Sequence, residues 1–107
     1  MAIVRKNKNT TPTVSGMVED VVGCKWSMSV LGCIRKGVVR PGAMQRALDG
    51  VSTKVLNERL SKLVRYGVVA KTTHAEVPPR VEYRLTAFGR RFGEIIDRIE
   101  ALQRELD

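Results

Sequence analysis

Aromatic residues, histidine and cysteine are all scarce in this sequence. Only 5% of the 107 residues are aromatic, His74 is the single histidine, and Cys24 and Cys33 are the only cysteines. A lone histidine with no Cys, Asp or Glu cluster at ligand spacing argues against a metal site and against a general base. Two cysteines in a chain of this kind are expected to be reduced thiols rather than part of a disulfide framework.

Signatures of catalysis and of membrane insertion are also missing. The sequence contains no glycine-rich phosphate loop and no nucleophile motif, so we expect no enzyme activity, no catalytic residue and no cofactor. The longest uncharged apolar stretch, WSMSVLGCI (26–34), is too short to cross a bilayer. The opening MAIVRKNKN is charged at once and lacks the apolar centre of a signal peptide. These features predict a cytoplasmic protein with no membrane partner.

Positive charge is what the sequence has in excess. The net charge is +8 and the isoelectric point is about 10.1. Residues 1–51 carry eight basic and three acidic side chains, residues 52–91 carry nine and three, and residues 92–107 carry two and five. The body of the chain therefore favours a polyanionic partner such as nucleic acid. The acidic C-terminal segment is expected to have a different role.

Periodicity predicts a loose basic N-terminal arm, residues 1–12, followed by one domain, residues 13–107. Helical spacing and cap signals predict five helices, over 13–23, 25–37, 41–48, 52–67 and 86–107. A short β-branched strand at 38–41 and a two-stranded hairpin over 67–85 complete the pattern. The fold class is mainly α with a small β-hairpin wing (α+β), and the order of elements is that of a winged helix-turn-helix.

The helix over 52–67 is the best candidate for reading DNA. Ser52 suits its N-cap and Gly67 its end. Lysine can reach guanine acceptors, asparagine suits adenine, and a capped helix N-terminus can bind a phosphate. A solvated face without a partner is the alternative interpretation. The polar residues proposed to contact DNA are Ser52, Thr53, Lys54, Asn57, Ser61 and Lys62.

The other face of this helix is expected to be buried. Its apolar stripe consists of Val55, Leu56, Leu60, Leu63 and Val64. Arg59 lies at the border of the stripe, where a salt bridge to Glu19, Asp20 or Glu82 would brace the fold.

The hairpin is predicted to be a wing whose tip carries Arg80. Its second strand alternates, with Val81, Tyr83 and Leu85 facing the core and charged residues between them. We expect minor-groove or phosphate contact from Arg80. Glu76 and Glu82 are expected to form structural pairs with the arginines beside them, and His74 to lie near DNA. Further DNA contacts are expected from Arg40, Lys71 and Arg84.

The last helix carries a heptad seam, which predicts a dimer. Its apolar residues are spaced 4, 3, 4, 3, 4, as Phe88, Phe92, Ile95, Ile99, Leu102 and Leu106. A monomer of this size could not fully cover such a seam. The predicted homodimer interface combines residues 86–107 with Met17, Val18 and Val21 from the first helix.

Three motifs give the chain a close resemblance to the HxlR-type family of bacterial, MarR-like winged-helix transcription regulators. They are GCKW (23–26), ALDGVSTKVLNERLSKL (47–63) and VVAKTTHAEVPPRVEYRLTAFGR (68–90). The resemblance implies a homodimer that binds double-stranded DNA at a roughly palindromic operator. It implies that the helix beginning at Ser52 enters the major groove and that the wing lies over a neighbouring minor groove.

The chain departs from the family pattern where a regulatory signal would be sensed. Many family members have a Cys-Pro pair before the first helix, but Thr13 and Val14 stand there in this sequence. Cys24, beside Lys25 at the start of a helix, is a candidate redox sensor, and simple packing is the alternative. A small-molecule effector is a further alternative for the signal.

Two other classes of function stay open from the sequence. One is a sequence-nonspecific architectural protein that binds DNA or RNA, which shares the charge but does not need a heptad seam. The other is a winged helix used only for protein contacts, which does not need a net charge of +6 over residues 52–91.

Overall fold

The computed structural model describes residues 12–107 of the chain. The basic arm predicted for residues 1–12 lies, apart from Pro12, outside the described residues. Residues 12–107 form five helices and one antiparallel hairpin, which confirms a mainly α fold with a small β element. They are α1 (Val14–Val22), α2 (Lys25–Arg35), α3 (Pro41–Ala47), α4 (Thr53–Arg65), β1 (Val69–His74), β2 (Arg80–Leu85) and α5 (Ala87–Leu106). None of these helices is long and apolar enough to span a membrane.

Side-chain caps set the starts of three helices. Thr13, Ser52 and Thr86 each accept a hydrogen bond from a backbone N–H three residues later, at the beginning of α1, α4 and α5. At the other end of α4, Gly67 has a φ of +77°, a left-handed conformation that suits glycine. The predicted bounds of α4 are confirmed.

The core lies between α2, α4, α5 and the base of the hairpin. Leu31 of α2, Leu56 and Leu60 of α4, and Phe92 of α5 are fully buried and belong to one apolar cluster. In the hairpin, β1 and β2 pair antiparallel over six residues each. Tyr83 is buried at the centre of β2, so the prediction that one face of this strand packs on the core is confirmed.

Two local predictions were wrong. Residues 38–41 do not form a strand; this segment makes one backbone hydrogen bond to the hairpin, from Tyr83 N–H to Val39 C=O at 2.8 Å. A ladder cannot extend further because Pro41 has no N–H and already begins α3. Val64 was expected in the buried stripe of α4 but is exposed, since the packed face of the helix runs through Leu56, Leu60 and Leu63.

The first half of α5 packs on the protomer and its second half projects beyond it. Gly89, Phe92, Gly93 and Ile96 form the buried face of the helix. From residue 100 to residue 107 every side chain is exposed. Arg35 of α2 fixes the middle of α5 through two hydrogen bonds to the Asp97 carboxylate, at 2.8 and 2.7 Å.

Candidate nucleic-acid interface

The polar face of α4 is free of contacts with the core. Thr53, Lys54, Asn57 and Ser61 are exposed, as is the capping residue Ser52. A shallow groove of about 380 Å³ runs along the same face, lined by Asn57, Glu58, Ser61, Lys62 and Arg65. Five of the six α4 residues predicted to contact DNA are therefore available to a large partner.

Side chains of α3 fix the start of α4. Gln45 donates one hydrogen bond to the carbonyl of Val51 at 3.2 Å and another to the hydroxyl of Thr53 at 3.1 Å. Met44, on the same short helix, is fully buried in the core. The turn between the two helices is thus held from one side by packing and from the other by Gln45. Sequence reasoning did not identify Gln45, because a lone glutamine on a short helix carries no distinctive signal.

The sixth predicted contact, Lys62, is already paired within the protomer. Its ammonium lies 3.0 Å from the carboxylate of Asp20 on α1, which also accepts a short hydrogen bond from the hydroxyl of Tyr66. Burial alone would raise the pKa of Asp20, but the bonds from Tyr66 and Lys62 outweigh it and hold that pKa below its usual value. Burial and the bond to Asp20 raise the pKa of Tyr66 to about 12. Lys62 therefore joins α4 to α1, and DNA would have to compete with Asp20 for it.

Arg59 does not form the predicted salt bridge within residues 12–107. Among the three expected partners, Asp20 binds Lys62 and Tyr66, and Glu82 binds residues of the hairpin. The Nε atom of Arg59 is buried without a protein acceptor in the described chain. Its guanidinium nevertheless lowers the pKa of Asp20 through space, which makes it part of the same positive surroundings.

Arg80 does not lie at the tip of the wing, contrary to prediction. It is the first residue of β2 and pairs with His74 in the sheet register, whereas the tip comprises residues 75–79. Its guanidinium lies 3.3 Å from Glu76 and 3.8 Å from Glu82. The prediction that these two glutamates form structural pairs with arginines is confirmed. Because the antiparallel ladder already includes the His74–Arg80 pair, Arg80 belongs to the strand and not to the loop.

The other basic residues of the wing differ in whether they are paired with Glu82. Lys71 is exposed in the middle of β1, opposite Tyr83. Arg84 is exposed but reaches Glu82 at 3.3 Å. His74 lies 3.2 Å from the same carboxylate through Nε2. Glu82 thus gathers cationic or polar partners from both strands.

A basic cleft of about 460 Å³ opens between α3 and the wing. Arg40 and Arg46 line it from α3 and its N-cap, and Arg80 lines it from β2. The guanidinium of Arg46 lies close to Gly42, where an added Cβ would be 3.6 Å from Nη1. Arg46 was not identified from the sequence, because its proximity to the wing depends on how α3 crosses the hairpin. The three arginines form a positive surface between α3 and the wing.

The residues predicted to form a dimer interface divide into two groups. Met17, Val21 and Phe92 are buried in the core of the protomer itself, so they have no surface left for a second copy. Val18 is partly buried against the same core. Ile99 is half-buried. Phe88, Ile95 and Leu102 are exposed, and they are spaced seven residues apart along α5. Heptad spacing could not show that Phe92 turns toward the core of its own chain.

The two cysteines have opposite environments. Cys24 is the N-cap residue of α2 and is half-exposed, while Cys33 is buried, and both are free thiols. A hydrogen bond with Ser27 lowers the pKa of the Cys24 thiol. Burial raises the pKa of Cys33. Residues 12–107 contain no cluster of three His, Cys, Asp or Glu side chains that could hold a metal ion.

Comparison with known proteins identifies a transcription-factor family. A family model described as HxlR-like helix-turn-helix matches residues 21–106. An HTH-type transcriptional regulator of Synechocystis is 43% identical over 79 residues, which cover 74% of this chain. The HTH-type regulator YtcD of Bacillus subtilis is 32% identical over 78 residues, 73% of this chain. The matches span 58% and 62% of the length of those two relatives.

Solved structures show the same fold. A transcriptional regulator of the MarR family from Enterococcus faecalis superposes with a TM-score of 0.76 at 29% identity, covering 94% of both chains. The redox regulator HypR in its reduced form superposes with a TM-score of 0.70 at 26% identity, covering 87% of this chain and 92% of HypR. The helices α3 and α4 with the hairpin are therefore a winged helix-turn-helix.

Proposed function

This chain belongs to the HxlR-like helix-turn-helix family of transcriptional regulators, and we propose that it binds a two-fold symmetric operator in double-stranded DNA as a homodimer. The observation that carries the proposal is the exposed polar face of α4, with Lys54 and Asn57 on its first two turns. A cleft lined by arginines between α3 and the wing adds positive charge. The regulatory unit comprises residues 13–107, with residues 86–107 as the dimerisation helix. A cytoplasmic location is part of the same proposal.

Base reading is assigned to the first turns of α4. Ser52, Thr53, Lys54, Asn57 and Ser61 supply donors and acceptors of the kinds that recognise base edges and phosphates. Selection of bound duplexes from a randomised pool tests this assignment. Enrichment of one two-fold symmetric sequence is expected, whereas an unenriched pool would favour a nonspecific architectural protein.

Two substitutions test the readers individually. Lys54→Ala and Asn57→Ala should each change the selected sequence, since a good bidentate base contact contributes about 1–3 kcal/mol of discrimination. Lys36→Ala, an exposed lysine at the end of α2, is the control for loss of one positive charge. If both α4 variants select the same sequence as wild type, these residues do not read bases.

Dimerisation is assigned to the exposed part of the α5 seam. Ile95 and Leu102 have 42% and 63% of their surface exposed, on the side of α5 that does not pack on the core. Together with Phe88 they repeat every seven residues, as expected for a coiled-coil contact between two copies. Leu102 lies in the part of α5, residues 100–107, where every side chain of the described protomer is exposed.

Introducing negative charge into this apolar seam should separate the two copies of the chain. Ile95→Glu with Leu102→Glu should give a monomer in sedimentation and lose operator affinity, while the protomer stays folded because both side chains are outside its core. Val77→Glu, at a fully exposed position in the wing tip, adds charge without touching α5 and should remain dimeric. A double variant that sediments as a dimer would contradict the assignment.

Backbone contacts are assigned to the cleft and the wing. Arg40, Arg46 and Arg80 line the cleft between α3 and the wing, Arg84 and Lys71 are exposed on the hairpin, and all five offer the positive charge that binds phosphates. Lys62 has a weaker claim, because Asp20 neutralises it. Arg46→Ala should weaken binding to every duplex by a similar factor, since phosphate contacts carry no sequence information.

Control of binding by a signal is the remaining part of the proposal. Oxidation would act through Cys24, whose thiol is accessible and has a lowered pKa. A small-molecule effector would instead need a cavity, and a groove of about 560 Å³ lies between α2 and α5, lined by Met28, Leu31 and Ile96 among others. Operator binding by Cys24→Ser in the presence of an oxidant separates the two, because only a redox signal depends on that thiol.

A further inference from the structure

Glu82 is the centre of a charge network on the solvent-facing side of the wing. One carboxylate oxygen lies 3.2 Å from His74 Nε2 and 3.3 Å from Arg84 Nη2, and the other lies 3.8 Å from Arg80 Nε. Glu76 lies 3.3 Å from Nη2 of the same guanidinium. The side chain of Glu82 is only 15% exposed although it stands on the polar face of the hairpin, because its partners cover it.

The network leaves the wing almost neutral in a strongly basic protein. Between residues 69 and 85 there are three basic and two acidic side chains, for a net charge of +1 in a chain of net charge +8. A carboxylate offers arginine the same kind of planar, charged acceptor as a phosphate does. A phosphate that approaches Arg80 or Arg84 therefore meets a guanidinium whose charge is already partly compensated, by Glu76 at 3.3 Å from Arg80 and by Glu82 at 3.3 Å from Arg84.

This replacement affects non-cognate and cognate DNA differently. Nonspecific binding is driven almost entirely by neutralisation of phosphates, so arginines that are already neutralised add little to it. In a specific complex the base contacts of α4 hold the duplex in one position, and exchange of a carboxylate for a well-placed phosphate then costs less. A repulsive or competing element of this sort raises the ratio of specific to nonspecific affinity.

We propose that Glu82 is a specificity-determining residue, which restrains Arg80 and Arg84 from binding the phosphates of non-cognate DNA. The inference rests on the proposed function of the chain as an operator-binding regulator. Glu82 does not contact DNA in this role. It limits how strongly Arg80 and Arg84 attract the phosphates of random DNA. Hydrogen bonding from His74 and the nearby arginines keep the pKa of Glu82 low, so the restraint is present at neutral pH.

Glu82→Gln tests the proposal, since glutamine keeps the size of the side chain and removes its charge. Binding to a random-sequence duplex should strengthen by on the order of tenfold at about 0.1 M salt, and the slope of log K against log salt should steepen by about 2 for the dimer, one extra phosphate for each protomer. Binding to the selected operator should change less. The specificity ratio therefore falls.

Glu105→Gln is the matched control for charge. It makes the same change in net charge at an exposed position near the end of α5, away from the wing. An increase in nonspecific affinity as large as that of Glu82→Gln would overturn the proposal, because general charge would then explain the effect. Weaker binding of Glu82→Gln to both duplexes would overturn it as well, since Glu82 would then be orienting the arginines for binding.

Arg84→Ala provides a test that does not disturb Glu82, and its side chain is 64% exposed, so the fold should tolerate the change. The variant should lose operator affinity while its affinity for random DNA stays close to wild type. Equal losses on both duplexes would show that Arg84 is available to all DNA and would refute the restraint. Failure of the wild-type protein to select any operator is a different result, and it would refute the proposed function itself.

Discussion

Gly89→Ala should destabilise this protein although alanine is the better helix former. Gly89 lies on the buried face of α5, where an added Cβ would be 1.9 Å from the carbonyl oxygen of Val68 and 2.9 Å from its carbon. That oxygen accepts hydrogen bonds from the N–H of Thr86 at 3.1 Å and from its hydroxyl at 3.2 Å. The obstacle is therefore main chain held in place at the junction of α4 and β1, and it cannot rotate away like a side chain.

The size of the effect follows from what must move. Intrinsic propensity favours alanine over glycine in a helix by about 1 kcal/mol. Overpacking against a fixed neighbour costs about 1–3 kcal/mol or more. Relief by lifting α5 would expose Phe92 and Ile96, which are 1% and 2% exposed, and each contributes about 1.5–3 kcal/mol through burial. We expect a net loss of about 3 kcal/mol, or a fall in Tm of about 12 °C or more.

Gly32→Ala is the matched control, because Gly32 is also inside a helix but a Cβ there would meet nothing within 4 Å. It should raise stability by up to about 1 kcal/mol. Thermal melts followed by circular dichroism at one protein concentration compare the variants, since the proposed dimerisation would make Tm depend on concentration. A Gly89→Ala protein as stable as wild type would show that α5 does not rest on the Val68 carbonyl as described.

Three further predictions concern titrating groups. The folded-state pKa of Asp20 is lowered, so the stability that it provides is present above its unfolded pKa of about 3.9 and is lost as the pH falls through the folded value. Asp20→Asn should therefore lower the free energy of unfolding by about 1–2 kcal/mol near neutral pH and by almost nothing in acid. Denaturant titrations at the two pH values measure both differences. The pH dependence from Tyr66 runs in the opposite direction, because its pKa in the folded state is raised to about 12. The stability that Tyr66 provides should be lost as the pH rises from about 10 toward that value. A Tyr66→Phe protein that kept the full wild-type loss of stability at alkaline pH would contradict this. Cys24 should be alkylated in the folded protein at neutral pH while Cys33 is modified only after denaturation, which peptide mass spectrometry can follow; equal labelling of both thiols would be inconsistent with their environments.

Local signals in the sequence predicted the helices and the hairpin well. Ser52 and Thr86 were identified as N-caps because their side chains act on a backbone N–H three residues away. Alternation in β2 predicted the correct core-facing side, because alternate side chains of a strand point to opposite faces of the sheet. Like an N-cap, this signal depends only on residues close together in the sequence. These features need no knowledge of how distant segments meet.

Long-range pairs could not be predicted in this way. Asp20 and Lys62 are 42 positions apart, and only the crossing of α1 with α4 brings them together. The cleft that joins Arg46 to Arg80 depends in the same way on how α3 meets the wing. Phe92 fits both a heptad seam and a 3.6-residue buried face, and packing decides between the two.

The junction around Thr86 links the three parts of the molecule on which operator recognition would depend. Thr86 is the only residue between β2 and α5, and its hydroxyl donates a hydrogen bond of 2.6 Å to the carbonyl of Gly67, just after α4. The same hydroxyl oxygen accepts a hydrogen bond of 2.8 Å from the N–H of Gly89, at the point where α5 approaches Val68. The end of α4, the base of the wing and the start of α5 therefore meet at hydrogen-bonded main chain. A change in the angle of α5 here would alter the separation of two α4 helices in a dimer, so Gly89 and Thr86 bear on half-site spacing as well as on stability.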